Sequence, residues 1–133
     1  MSAEHNIGHF AGAIDAWQRR VYDPCELTPQ KRTHRAHEEV YELDEALRTG
    51  HNEKILGESC DVIIGMFGAA LTVAQPQEVA ATLFGTLVNM LRKYDSSEVL
   101  KLKAEGMSTD QALAHRKELW VPTTLYVNPS RTQ

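Results

Sequence analysis

The chain is predicted to be all-α, a helical bundle, on three observations. Apolar residues recur at intervals of three and four through almost its whole length. Consecutive segments are bounded by recognisable helix start and stop residues. Runs alternating with a period of two, the mark of strands, are nearly absent. At 133 residues the chain fits one domain with room for a substantial core. The expected organisation is a single domain over 1–120 followed by an extended tail, 121–133.

Ser2 is placed to cap a first helix in which Phe10, Ile14, Trp17 and Val21 recur on one side. The chain breaks from Asp23-Pro24 to Leu27. Thr28 followed by Pro29 then pairs a capping residue with proline at the first helical position. That second helix is expected to reach Thr49 and stop at Gly50, with Ala36, Val40, Leu43 and Leu47 as its apolar face. A third helix, from about Asn52 to Val73, is apolar on nearly every side, which implies burial. Its small residues Gly65, Gly68, Ala69 and Ala70 suit close helix–helix approach or a dimer seam. Gln75-Pro76-Gln77 separates it from a fourth helix carrying Val79, Leu83, Leu87 and Leu91. A short helix from Ser96 ends at Gly106, and Ser108-Thr109-Asp110-Gln111 is a capping box opening a last helix to Leu119 or Trp120.

Hydrophobic content of 42% and charged content of 24% are those of a globular protein. The net charge of -4 speaks against a general nucleic-acid binder. Cys25 and Cys60 form no CxxC pair, and Cys60 is expected as a reduced core residue. The N-terminal MSAEHNIGHF lacks the basic and apolar regions of a signal peptide. Glu58 and Asp61 interrupt the one stretch, 55–74, that approaches membrane-spanning length. No membrane association and a cytoplasmic location are therefore expected. A helix that is apolar all round is hard for one chain of this size to cover, so at least a dimer is expected.

Four carboxylates concentrate the chemistry. Glu39 and Glu42 on the second helix, and Glu58 and Asp61 on the third, are each spaced i, i+3 and so share a helix side. No Lys or Arg occurs between Ile55 and Leu91, so the acids of the apolar helix lack a local ion-pair partner. A carboxylate in apolar surroundings needs a compensating cation. The short Gly50–Glu53 link makes the two helices antiparallel neighbours, with the acidic pairs facing one gap. Such a gap suits a hard divalent cation, which takes oxygen ligands. Taken alone, Glu39 and Glu42 also read as part of a solvated helix face. Arg35 falls between the two on the helical wheel and is placed to neutralise them or to touch a phosphate. Asn89, Arg92 and Lys93 end the fourth helix, where cations also favour the last carbonyls. Trp17 reads as core.

The pattern Glu39-Val-Tyr-Glu42, then Glu58-Ser-Cys-Asp61, resembles that of the all-α nucleoside triphosphate pyrophosphohydrolases. These include MazG proteins, dimeric dUTPases and phosphoribosyl-ATP pyrophosphohydrolases. Glu38-Glu39 with Glu42-Leu43 resembles the EExxEL opening of MazG, and the likeness extends over about residues 30–95, more loosely to Trp120. The resemblance implies a hydrolase that binds two or three Mg²⁺, or Mn²⁺ in its place, through Glu39, Glu42, Glu58 and Asp61. It implies conversion of a nucleoside triphosphate to the monophosphate and pyrophosphate, in nucleotide-pool control, by a homodimer or homotetramer. Glu38 or Glu42 would accept the proton of the attacking water. Trp17 would lie near the base, and Asn89, Arg92 and Lys93 would meet phosphate or sugar. A deoxynucleoside triphosphate is the expected substrate, with dGTP or dUTP foremost.

Other classes fit less well. A di-iron bundle needs Glu-x-x-His pairs, and none occurs. His37-Glu38-Glu39 begins like the HExxH of zinc hydrolases, but Tyr41 takes the place of the second histidine. A non-catalytic, antitoxin-like or regulatory helical dimer would keep the acidic helices as structure and need no metal.

Overall fold

The computed structural model describes residues 2–120, and they are helical as predicted, with no strand among them. The helices are α1 Ala3–Val21, α2 Pro29–Thr49, α3 Asn52–Ala70, α4 Pro76–Lys93, α5 Ser96–Ala104 and α6 Thr109–Leu119. A 3₁₀ turn, Pro24–Glu26, fills the break after α1. The expected tail lies outside the described residues. The start signals act as read: the hydroxyl oxygens of Ser2, Thr28 and Ser108 accept from the backbone N–H groups of His5, Lys31 and Gln111. Each satisfies one of the donors a helix leaves free at its N-terminus. Gly50 ends α2 with φ of 71°, and Gly106 follows α5 with φ of 105°. Both are left-handed conformations that glycine adopts without strain. No helix among the described residues is long and apolar enough to cross a membrane.

Two compact units divide the chain, one through Ala80 and one from Ala81, so α4 begins in the first and ends in the second. In the first unit α2 and α3 form the most extensive helix pairing, and α1 lies against α3. Ala11, Ile14 and Leu71 make its apolar cluster, with Phe67 and Val79 packed against them. In the second unit α5 packs on α6. There the Arg116 guanidinium donates to the carbonyls of Lys93 and Arg92, capping the end of α4.

Several helices turn a different face inward from the one expected. On α2, Ala36 is buried and Leu43 half-buried, but Val40 and Leu47 are exposed while Arg32 and Ala46 are buried. The line that α3 covers is therefore rotated toward the acidic flank. Small side chains explain the choice: a methyl added at Gly65 would stand 3.4 Å from the Ala36 Cα, so the backbones meet where side-chain bulk is least. On α1 the inward face is Gly8, Ala11, Ile14 and Gln18, whereas Phe10, Trp17 and Val21 are exposed.

The reading of α3 as buried on all sides is corrected in the same way. Only Gly65 and Gly68 are buried, because α2 and α1 meet one side of it. Leu56, Ile63 and Met66 are exposed. Cys60, expected in the core, is exposed on this helix. α3 also ends at Ala70 rather than Val73, closing in a tight turn in which the Thr72 and Val73 N–H groups donate to the Ala69 and Ala70 carbonyls.

Candidate functional site

Two facing lines of residues build the site. On α2, Arg32, Ala36 and Glu39 follow one another at i, i+4, i+7. On α3, Glu58, Asp61, Gly65 and Gly68 follow at i, i+3, i+7, i+10. Because the two helices form an antiparallel hairpin, their acidic turns meet. Glu39, Glu58 and Asp61 each offer a carboxylate oxygen within 4.8 Å of the others, an arrangement that could hold a metal ion. Glu39 and Glu58 are half-buried, and Asp61 is exposed at the rim. The premise that α3 buries both of its acids thus holds for Glu58 only in part and not for Asp61. One oxygen of Glu58, Oε2, is shut off from solvent and has no hydrogen-bond partner among the described residues. An orphaned carboxylate oxygen of this kind is costly unless a cation meets it.

Glu39 is the electrostatic centre of the group. Partial burial, then the neighbouring Glu42 and Asp61 carboxylates, raise its pKa above the ordinary glutamate value, with a side-chain hydrogen bond to Glu42 adding to the rise. Arg35, whose Nη2 lies 3.8 Å from Glu39 Oε1, opposes the shift without cancelling it. The consequence for stability has a definite sign. Well below the ordinary glutamate range Glu39 is protonated folded or unfolded, and nothing is lost. As pH rises through that range the unfolded chain ionises first, so stability falls until the folded carboxyl has ionised too. Glu39→Gln is therefore expected to raise the metal-free Tm at pH 7 by roughly a few degrees. The gain should vanish on acidification below the glutamate range; thermal melts of both proteins from pH 3 to 8 in chelator check this, and a gain that persists at pH 3 contradicts it.

The other expected site residues distribute as follows. Glu42 is exposed beside Glu39, just outside the closest trio. Glu38 is turned to Arg35 Nη1 at 3.0 Å and His34 Nε2 at 3.5 Å, on the outer face of α2. Trp17 is not core: it is half-exposed, and its ring meets Tyr22 edge-on at 5.8 Å. Asn89, Arg92 and Lys93 end α4 in the second unit, where the Lys93 ammonium lies 5.2 Å from the Tyr94 ring centroid.

A cavity of about 110 Å³ opens beside the acids, lined by Glu39 and Asp61 together with Trp17, Tyr22, Arg32 and Arg35. That is somewhat smaller than the ~150 Å³ pocket known to admit a benzene ring, and it is open to solvent on one side. Sequence reasoning passed over two of these residues. Arg32 stands in the polar run QKRTHRAH, which reads as surface, yet it is buried. Tyr22 stands between the expected end of the first helix at Val21 and the break that starts at Asp23, and carries no motif. Their signal was positional: Arg32 shares a helix face with Ala36 and Glu39, two turns before the acids, and Tyr22 is the residue that caps α1.

No family model, curated protein or solved structure matches this chain, so a functional reading rests on its own residues.

Proposed function

We propose that this protein is a Mg²⁺-dependent nucleoside triphosphate pyrophosphohydrolase, releasing a nucleoside monophosphate and pyrophosphate. The observation that carries the reading is the meeting of Glu39, Glu58 and Asp61 oxygens within 4.8 Å at the mouth of a cavity walled by aromatic and guanidinium groups. The all-carboxylate donor set and the orphaned Glu58 Oε2 fit a hard divalent ion. Glu39, Glu58 and Asp61 would hold it, with Glu42 adjacent. Once bound, such ions supply charge for the triphosphate oxygens and lower the pKa of water.

The chain's own groups account for the remaining steps. Arg35, exposed between Glu38 and Glu39, offers N–H donors to phosphate oxygens. The aromatic side of this open cavity receives an edge of the nucleobase and positions the α-phosphorus over the acids. A water oxygen bonds to that phosphorus, and the bond to the bridging oxygen breaks. The electron pair leaves with pyrophosphate. The water's proton passes to a carboxylate; Glu42, unpaired with any cation among the described residues and hydrogen-bonded to Glu39, is better placed for this than Glu38, which Arg35 and His34 engage. Incubating a panel of ribo- and deoxynucleoside triphosphates with Mg²⁺ or Mn²⁺, and separating the products by chromatography, tests the reading. A deoxynucleoside triphosphate, dGTP or dUTP foremost, is expected to give monophosphate plus pyrophosphate, and failure to cleave any of them rejects it.

The working form is proposed to be a homodimer or homotetramer. Leu56, Ile63 and Met66 on α3, and Val40, Tyr41 and Leu47 on α2, are all exposed in the single chain, apolar surface that a second copy would cover. Light scattering is expected to give at least twice the 14.9 kDa chain mass. Ile63→Glu should shift the mass to that of one chain. A monomeric wild type contradicts the assembly.

A further inference from the structure

Arg32 is the one basic side chain of the site that is buried, at 5% exposure, and no hydrogen bond or ion pair engages its guanidinium among the described residues. Its Nε is closed off from solvent with no partner. The guanidinium lies over the Tyr22 ring, whose centroid is 4.7 Å from Cζ. Burying a cation without hydrogen-bond acceptors is expensive, and here the fold makes room for it. A Cβ at Gly68 would collide with Arg32 Nη2 and come within 3.0 Å of Gln18 Oε1. Gln18 is itself held by donation from its Nε2 to the Gly68 carbonyl at 3.2 Å. The guanidinium is thus packed between the Tyr22 ring and Gly68, and Arg32 lines a cavity that Trp17 also lines.

We infer that Arg32 reads the nucleobase, selecting bases that carry a carbonyl oxygen on the edge away from the sugar over those that carry an amino group. This rests on the pyrophosphohydrolase reading for the orientation of the ligand. The acids and the exposed Arg35 occupy one end of the cavity and suit the triphosphate. Arg32 lies seven residues before Glu39 on α2, about 10 Å along the helix axis, with the sugar left to bridge the interval. Arg32 itself is buried there over the Tyr22 ring, and the half-exposed Trp17 lines the same cavity, surroundings that suit a base better than a chain of phosphates. A guanidinium has donors only. Guanine offers it O6 and N7, and uracil or thymine offers O4, whereas adenine and cytosine place an NH₂ at the same position. Donor set against donor leaves both groups unpaired in a buried place, so the amino bases are disfavoured.

Binding of the four deoxynucleosides deoxyguanosine, deoxyuridine, deoxyadenosine and deoxycytidine, titrated by ligand-observed NMR without metal, tests this with neither phosphate nor catalysis involved. The wild type is expected to bind the first two at least tenfold more tightly than the last two. Arg32→Met should bring that ratio near one, and Gly68→Ala should do the same by displacing the guanidinium while leaving Arg32 in place. Equal binding of all four by the wild type overturns the inference, as does a ratio that survives in Gly68→Ala with Arg32→Met either folded or not. An Arg32→Met protein that loses affinity for inorganic phosphate but keeps the nucleoside ratio assigns the guanidinium to phosphate and overturns it equally. Nucleoside selectivity in a protein that cleaves no triphosphate would reject the enzymatic reading and leave the base-reading role standing.

Discussion

Glu39→Gln and Asp61→Asn are each expected to lower turnover by at least ~10²-fold, about 2.7 kcal/mol in the barrier, with helical content unchanged. The two residues come from different helices and converge on one point, each offering an oxygen within 4.8 Å of the other and of Glu58. Replacing a carboxylate by its amide keeps the shape and removes the charge. The loss therefore reports on what the charge does. In the metal-free protein partial burial, and then the neighbouring Glu42 and Asp61 carboxylates, disfavour the charge on Glu39 and raise its pKa, so the same substitutions should leave the fold intact or firmer. Loss of activity together with retained or increased stability is the signature of a group kept for chemistry. Circular dichroism and steady-state rates on the same preparations measure both. Residual activity above a few per cent in either variant contradicts the roles assigned.

The second large effect concerns the ion itself. Mg²⁺ or Mn²⁺ at about a hundred times its dissociation constant should stabilise the wild type by ~2.7 kcal/mol through mass action, a rise in Tm of roughly 10 °C for a chain of this size. Chelator should reverse it and abolish turnover. Glu58→Gln should abolish the rise, because Glu58 holds an oxygen that nothing among the described residues satisfies. The signs are opposed in an informative way: removing Glu39's charge stabilises the empty site and removes the response to metal. A melt that ignores both divalent ions, in the wild type, contradicts a metal site among these acids.

Most helix boundaries were legible because they depend on local chemistry; the end of α3, at Ala70 and not Val73, was not. A hydroxyl at Ser2, Thr28 or Ser108, a proline at position 29, and glycines 50 and 106 act within a turn of where they stand. The convergence of Glu39, Glu58 and Asp61 was legible because i, i+3 spacing and a short hairpin leave few ways to place them, whereas Glu42 stands just outside the trio. The faces were not. Val40 and Leu47 on α2, and Phe10 and Trp17 on α1, have the apolar periodicity of a core yet stay exposed in the single chain, while Arg32 and Gln18 are buried. Periodicity reports that a face will be covered; it does not say by which neighbour. Here the backbones approach along Ala36, Gly65 and Gly68, and that small-residue line brings Glu39 inward and makes room for the Arg32 guanidinium. Cys60 was misplaced for the same reason, since it lies on the side of α3 that neither α1 nor α2 meets.

The central claim is that the acids direct water to the α-phosphorus of a bound triphosphate. Hydrolysis in ¹⁸O-labelled water with Mg²⁺, followed by mass spectrometry of the products, tests it most directly. The account predicts one labelled oxygen in the nucleoside monophosphate and none in pyrophosphate. Label in pyrophosphate or orthophosphate, or no metal-dependent release of monophosphate from any nucleotide tried, would contradict it.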